Sequence, residues 1–259
     1  MTEWMTVVLL GIIEGITEFL PVSSTGHLLL AEQWLAVRQS DTFLVVIQGG
    51  AVAAVLLVFK ARLRQLVAAR HDPAARAYVV KLSAAFGITA AGGLGLAAID
   101  FALPETATPV ALALLVGGIL FVLVERTLRG RAGKTTIGWP VAAAMGLAQL
   151  VAAVFPGTSR SGAAILVALV MGLDRQLAIE FSFLLGVPTL LAAGLLKLIS
   201  HPAGQLPWTM LALGAAVSAV TAFAAVWWLM RYVQTHTFEG FGWYRIVLAA
   251  LILWSSLGA

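Results

Sequence analysis

The sequence predicts an all-α polytopic membrane protein: six transmembrane helices plus two re-entrant helical hairpins in an inverted-topology repeat. Three observations carry this reading. Of 259 residues, 61% are apolar and 11% charged, against about 45–50% and about 25% in soluble proteins. Six stretches are apolar over nearly the roughly 20 residues that a bilayer crossing needs. Two more apolar segments are each broken by a proline and a small polar loop, and each precedes three of the six stretches. The same composition excludes a disordered chain, a coiled coil and a transmembrane barrel, whose strands would alternate apolar and polar residues. With no cysteine, disulfides, zinc-thiolate sites and thiol nucleophiles are excluded. The net charge of +4 is read as topology and contact with bilayer lipids, not as nucleic-acid binding.

The elements follow in order. The first half, 1–130, opens with a broken segment, 4–36, and continues with spans 42–59, 82–99 and 106–124, all three uncharged. The second half, 131–259, repeats the pattern with a broken segment, 139–173, and spans 178–198, 209–230 and 241–257. The last span is the weakest, because Arg245 lies in it and is expected to snorkel to an interface. Each half of a broken segment is short for a full crossing. Broken backbone at membrane depth is tolerated only inside protein or beside a water-filled cavity, so both segments are read as re-entrant hairpins. At an offset of 135, Gly11 falls on Gly146, Glu14 on Gln149, Pro21 on Pro156 and Ser24 on Ser159; at 136, Gly50 meets Gly186.

Charge sets the orientation. Segment 60–81 carries Lys60, Arg62, Arg64, Arg70, Arg76 and Lys81, and segment 125–138 carries Arg126, Arg129, Arg131 and Lys134. Loop 100–105 has no Lys or Arg, and 197–208 has only Lys197. The positive-inside rule makes the two basic segments cytoplasmic, so the first hairpin enters from outside and the second from the cytoplasm. Tryptophans 4, 34, 139, 208, 243 and 254 lie near segment ends, as an interfacial belt requires. The N-terminal stretch is not read as a signal peptide, since it lacks a basic region and its apolar run contains Glu14 and Glu18.

The broken segments hold the costly residues. Glu14 and Glu18 are four apart and share a helix face. Two carboxylates together in a bilayer call for a proton or a cation, and Mg2+ or Ca2+ suits such oxygen ligands. The loop Pro21-Val22-Ser23-Ser24-Thr25-Gly26-His27 offers hydroxyls, free backbone amides at a helix start and an imidazole, a setting that attracts anions. In the second loop, Pro156-Gly157-Thr158-Ser159-Arg160-Ser161-Gly162, Arg160 is the lone charge between Lys134 and Asp174. A guanidinium at that depth needs an anion, either a nearby carboxylate or a phosphate that matches its fork. An acidic pair, a nucleophile or base, and a phosphate clamp suit phosphoryl transfer on a substrate with an apolar tail.

These motifs resemble the undecaprenyl-diphosphate phosphatase family of the bacitracin-resistance type. The resemblance rests on Glu14-x3-Glu18-Phe-Leu-Pro-Val-Ser-Ser-Thr-Gly-His27 and on Pro156-Gly-Thr-Ser-Arg-Ser-Gly162. The stretches Thr42-Phe43…Val45-Val46-Ile47-Gln48 and Glu180-Phe181-Ser182-Phe183-Leu184-Leu185 extend it along the chain. It implies hydrolysis of undecaprenyl diphosphate to undecaprenyl phosphate, the lipid carrier for peptidoglycan, and with it bacitracin resistance. It implies a bacterial inner-membrane enzyme, often dimeric and dependent on Mg2+ or Ca2+. Catalytic or metal-binding roles pass to Glu14 and Glu18, catalytic roles to Ser24 and His27, and phosphate binding to Arg160. Ser23, Thr25, Gly26, Ser159 and Ser161 become supporting phosphate ligands. This chain departs at Leu44, where members often carry an acid, and retains Glu180. The attacking group stays open among Ser24, His27 and water. A polyprenyl-phosphate flippase, or another secondary transporter, is the alternative that an inverted repeat allows.

Overall fold

A computed structural model describes residues 2–68, 72–99, 101, 106–200 and 207–257. The whole of loop 100–105 apart from Phe101, residues 201–206 of the second outer loop, and Arg70 lie outside the described residues. The described chain is all-helical: α1 (Glu3–Thr17), α2 (Ser24–Leu35), α3 (Asp41–Val58), α4 (Lys60–Val67), α5 (Pro73–Ala98), α6 (Ala107–Thr127), α7 (Trp139–Val154), α8 (Arg160–Val170), α9 (Arg175–Ser200), α10 (Trp208–Tyr232) and α11 (Glu239–Leu257). It is a polytopic membrane protein. Five helices, α3, α5, α6, α9 and α10, are long and apolar enough to cross a bilayer. The sixth expected span, α11, is present as 19 residues but carries Glu239 and Arg245.

Side-chain caps set several helix starts. Ser40 accepts from the Phe43 amide to begin α3. Asp72 accepts from Ala74, with Pro73 in the first turn, to begin α5. Asp174 accepts from Gln176 and Leu177 to begin α9. That Asp72-Pro73 signal starts α5 nine residues before the expected span, so its first turns carry Arg76 and Lys81. The basic segment also folds where a loop was expected. Lys60–Val67 is a short amphipathic helix that buries Leu66 and exposes Lys60 and Arg64, with Arg62 half-buried.

The broken segments are broken as expected. At about 1.5 Å per residue, α1, α2, α7 and α8, with 15, 12, 16 and 11 residues, each fall short of a bilayer core of about 30 Å. All six tryptophans at the segment ends are exposed.

Packing runs through glycines. Helix α10 crosses α1 and α3; α6 crosses α11; α5 crosses α7. A Cβ on Gly15 would strike Ser218 and Thr221, and one on Gly50 would strike the Ala215 carbonyl. Gly118 and Gly242 each face the other's carbonyl, with 2.7 Å to an added Cβ. Such contacts let helices approach where lipid offers no hydrophobic drive. Polar bonds reinforce them: Ser218 Oγ donates to the Ile47 carbonyl at 2.6 Å, and Thr89 Oγ1 to Gly146 at 2.9 Å. The core is aromatic around the first loop, with Phe19 edge-on to Phe183 at 5.1 Å.

Ion pairs gather at one end of the bundle, where Arg62 meets Glu180 at 2.8 Å, Arg126 meets Glu239 at 2.8 Å, and Arg175 meets Glu125. Lys197 pairs with Asp41 at 3.0 Å between the C-terminal end of α9 and the N-terminal end of α3.

Gly50→Ala forces a methyl into the α10 backbone, so the thermal midpoint in detergent is expected to fall by several degrees, an overpacking cost of about 1–3 kcal/mol. Gly49→Ala, with nothing within 4 Å, is expected to leave it unchanged or raised; equal loss in both variants would refute the close-approach account.

Candidate functional site

Both loops make the same turn. Ser23 and Ser159 sit at φ 72° and 68°, a left-handed region that costs a non-glycine residue about 1–3 kcal/mol. Each accepts through its hydroxyl from the amide three residues on, Gly26 at 3.3 Å and Gly162 at 3.1 Å. A new helix starts at the next residue, Ser24 or Arg160. This corrects the sequence register within the loops. Ser23, not Ser24, is the backbone equivalent of Ser159, because the second loop has one more residue between its proline and its strained serine. Gly157, at φ 91°, accommodates the insertion. Ser24 and Arg160 are therefore equivalent first residues of α2 and α8.

They meet at one carboxylate. Ser24 Oγ donates to Glu18 Oε2 at 2.6 Å, and Arg160 Nη2 donates to Glu18 Oε1 at 3.3 Å. Glu18 is buried, as is Glu14 one turn earlier. The expected pair of like carboxylates is thus divided in role. Both oxygens of Glu18 are engaged, whereas Glu14 Oε2 is buried with no partner. Arg160 also keeps Nε and Nη1 buried and unpartnered. An orphaned buried oxygen and two orphaned guanidinium donors are costly. They are what a bound cation and a bound anion would each satisfy.

A cavity of about 140 Å3 joins the loops, lined by Glu18, Ser23, Ser24, Thr25, Ser159 and Arg160 together with Gln48. A larger one of about 960 Å3 shares Ser24, Thr25 and Gln48 and also takes in Glu14. Its walls are Leu28, Leu29, Leu44, Val45 and Leu190, and Arg38 and Lys197 also line it. Leu44 thus adds an apolar wall where an acid was noted as common. Glu180 pairs with Arg62 and lines neither cavity.

Two expected phosphate ligands, Ser161 and Gly26, and one expected catalytic residue, His27, have protein partners here. Ser161 is fully buried and donates to the Leu20 carbonyl at 3.3 Å, tying the second loop to the first. The Gly26 amide is engaged by Ser23. His27 Nδ1 lies 2.7 Å from the Ser23 carbonyl and Nε2 lies 2.6 Å from the Tyr244 hydroxyl. The hydroxyl of Ser24 therefore has Glu18 as its partner, not His27.

One central residue was misread. Arg245 does not snorkel: it is fully buried. Its guanidinium donates to the carbonyls of Pro21 at 3.3 Å, Thr158 at 2.8 Å, Ala113 at 3.3 Å and Leu114 at 3.4 Å. One cation thereby holds both loops against α6. A Cβ on Gly117 would strike this guanidinium, and one on Gly186 would strike that of Arg160, so both cations lie where helix glycines leave room.

The fold and this site define a polytopic membrane protein that gathers a carboxylate-held serine and an arginine fork in one cavity between two broken helices. The chain belongs to the family described as "Bacitracin resistance protein BacA", whose profile matches residues 7–251. It is 49% identical to an undecaprenyl-diphosphatase of Rhizobium etli (strain CIAT 652), over 97% of this chain and 96% of that protein. It is 45% identical to undecaprenyl-diphosphatases of Xanthomonas oryzae pv. oryzae (strain PXO99A) and Xylella fastidiosa (strain 9a5c), over 98% of each chain.

In Arg245→Met the Pro21 and Thr158 carbonyls lose a shared donor. Amide exchange is expected to rise together in residues 18–24 and 155–160, by about tenfold or more for bonds of this size. A rise confined to one loop would reject the shared tie.

Proposed function

We infer that this chain is an undecaprenyl-diphosphatase: it hydrolyses undecaprenyl diphosphate to undecaprenyl phosphate and inorganic phosphate. It thereby recycles the carrier lipid of cell-wall synthesis and confers bacitracin resistance. The observation that carries the reading is the joining of Ser24 and Arg160 through Glu18 inside one buried cavity, in a chain that its diphosphatase relatives match almost end to end.

The residues divide the reaction as follows. Ser24 Oγ attacks the terminal phosphorus, and its proton passes to Glu18 Oε2, its partner at 2.6 Å. The bond from that phosphorus to the bridging oxygen breaks, and undecaprenyl phosphate leaves. Water then releases phosphate from Ser24. Arg160 offers its unpartnered Nε and Nη1 to the transferred group, where a planar fork fits phosphate oxygens. Ser23, Thr25 and Ser159 line the same cavity and complete its polar wall. Hard oxygen donors with a free Glu14 Oε2 suit Mg2+ or Ca2+, and Glu14 and Glu18 would hold the ion. When bound, it neutralises charge on the phosphate oxygens. Among the described residues no third His, Asp or Glu joins them in a group that could hold a metal ion.

The six-span, two-hairpin inverted repeat of halves 1–130 and 131–259 belongs to this reading. Its support is the shared strained serines and the paired crossings: α1 on α10 as α7 on α5, and α3 on α10 as α9 on α5. The clustering of Arg62, Arg126 and Arg175 at one end supports a cytoplasmic location for that end. The larger cavity, lined by Arg38 and Lys197, then faces the periplasm from the inner membrane. A homodimer is part of the same proposal.

The purified protein in detergent is expected to release phosphate from undecaprenyl diphosphate. Chelation should stop release, and restored Mg2+ or Ca2+ should revive it. A pure transporter would release none. Glu14→Gln with Glu18→Gln is expected to abolish metal-dependent release; full activity would reject the acidic site. Ser24→Ala is expected to lose turnover and the phosphate trapped on Ser24. Gly186→Ala moves only the far end of Arg160, so turnover should fall about 10–100-fold at an unchanged melting point. Unchanged turnover would reject the placement of that fork.

A further inference from the structure

A carbonyl can only accept a hydrogen bond. The 2.7 Å contact of His27 Nδ1 with the Ser23 carbonyl therefore puts the imidazole proton on Nδ1. In the neutral imidazole Nε2 is then an acceptor, and the Tyr244 hydroxyl at 2.6 Å donates to it. The two rings lie within 8° of parallel. Both nitrogens are occupied, and His27 lines neither cavity that holds Ser24. What His27 touches is the carbonyl of the strained residue whose next neighbour is Ser24.

The second loop supplies an internal comparison. Ser159 has the same strained turn and the same cap, but the residue four positions on is Ala163. No side chain there can clasp the Ser159 carbonyl. Among the described residues the clasp exists only in the loop that carries Ser24, and its outer end is on α11, next to Arg245.

We propose that Tyr244 is a positioning residue for phosphoryl transfer: its phenol holds His27 in the Nδ1-protonated form, and His27 holds the Ser23 carbonyl so that Ser24 stays aimed at Glu18. His27 then acts through the turn and carries no proton in the reaction. This rests on Ser24 as the attacking group, a reading that Ser24→Ala and trapping of phosphate test separately.

The experiment is a set of kinetic comparisons on the purified full chain in detergent, with undecaprenyl diphosphate as substrate. Asn at position 27 can place an amide N–H where Nδ1–H stands but cannot reach Tyr244 or serve as a base. His27→Asn is expected to keep kcat within about tenfold of wild type, whereas His27→Ala falls about 100-fold or more. Tyr244→Phe, which removes one oxygen, is expected to lower kcat about fivefold to tenfold at unchanged KM. In the His27→Asn background the same change should have no further effect. Equal inactivity of His27→Asn and His27→Ala at wild-type melting points would make His27 chemical and overturn the proposal. So would a full Tyr244→Phe effect in the Asn background, or none in the wild type. If Ser24→Ala turned over normally, the underlying reading would fail instead.

Discussion

Backbone carbonyls that are buried away from water must find donors. Two helices broken at Pro21 and Pro156 leave such carbonyls at the centre of this protein, and Arg245 is the donor that answers them. Its guanidinium has no carboxylate partner among the described residues; carbonyls of both loops and of α6 surround it. A lysine could not make this arrangement, because a planar fork with five N–H groups is needed to reach several fixed carbonyls at once. The rest of the site inherits its geometry from this tie. With Pro21 and Thr158 held on one cation, the helix starts at Ser24 and Arg160 are brought to the same carboxylate.

Glu18 is the second organiser. It accepts from a neutral hydroxyl on one oxygen and a guanidinium on the other, so it couples the group that would attack to the group that would bind. Glu14, one helical turn away, keeps an oxygen free. Two residues that look alike in the sequence thus do different things, because only one of them lies between the two loops. Arg160 is left with two donors that nothing in the protein satisfies. Those donors are available to an anion in the cavity that Arg160 lines.

Much of this was legible in the sequence. Long uncharged runs located the spans, since lipid permits few exceptions, and the proline-broken segments located both loops. Glu14, Glu18 and Arg160 stood out as charges at depth. Arg245 carried the same signal but was assigned to the interface, because a residue near a helix end can snorkel and nothing local says otherwise. Its role depends on carbonyls 87 and 224 residues away in sequence, which no local pattern displays. The partner of Ser24 was hidden for a similar reason. His27 lies three positions along α2 from it, yet the turn at Ser23 directs the imidazole to α11. The one-residue difference between the loops also misled the register, because conformation at Ser23 and Ser159 aligns where sequence letters do not. The helix α4 was missed because a basic amphipathic stretch reads equally well as a loop.

The larger cavity mixes leucine and valine walls with polar residues, among them Ser24, Glu14, Arg38 and Lys197. A substrate with a long isoprenoid chain is itself confined to the lipid phase. Encounter then occurs in two dimensions, and saturation is governed by molecules per unit area of film rather than per litre. In mixed micelles the same amount of protein and substrate turns over at a rate set by the mole fraction of substrate in the detergent. Added detergent dilutes the micelle surface and slows the reaction even when the bulk concentrations of protein and substrate are held constant.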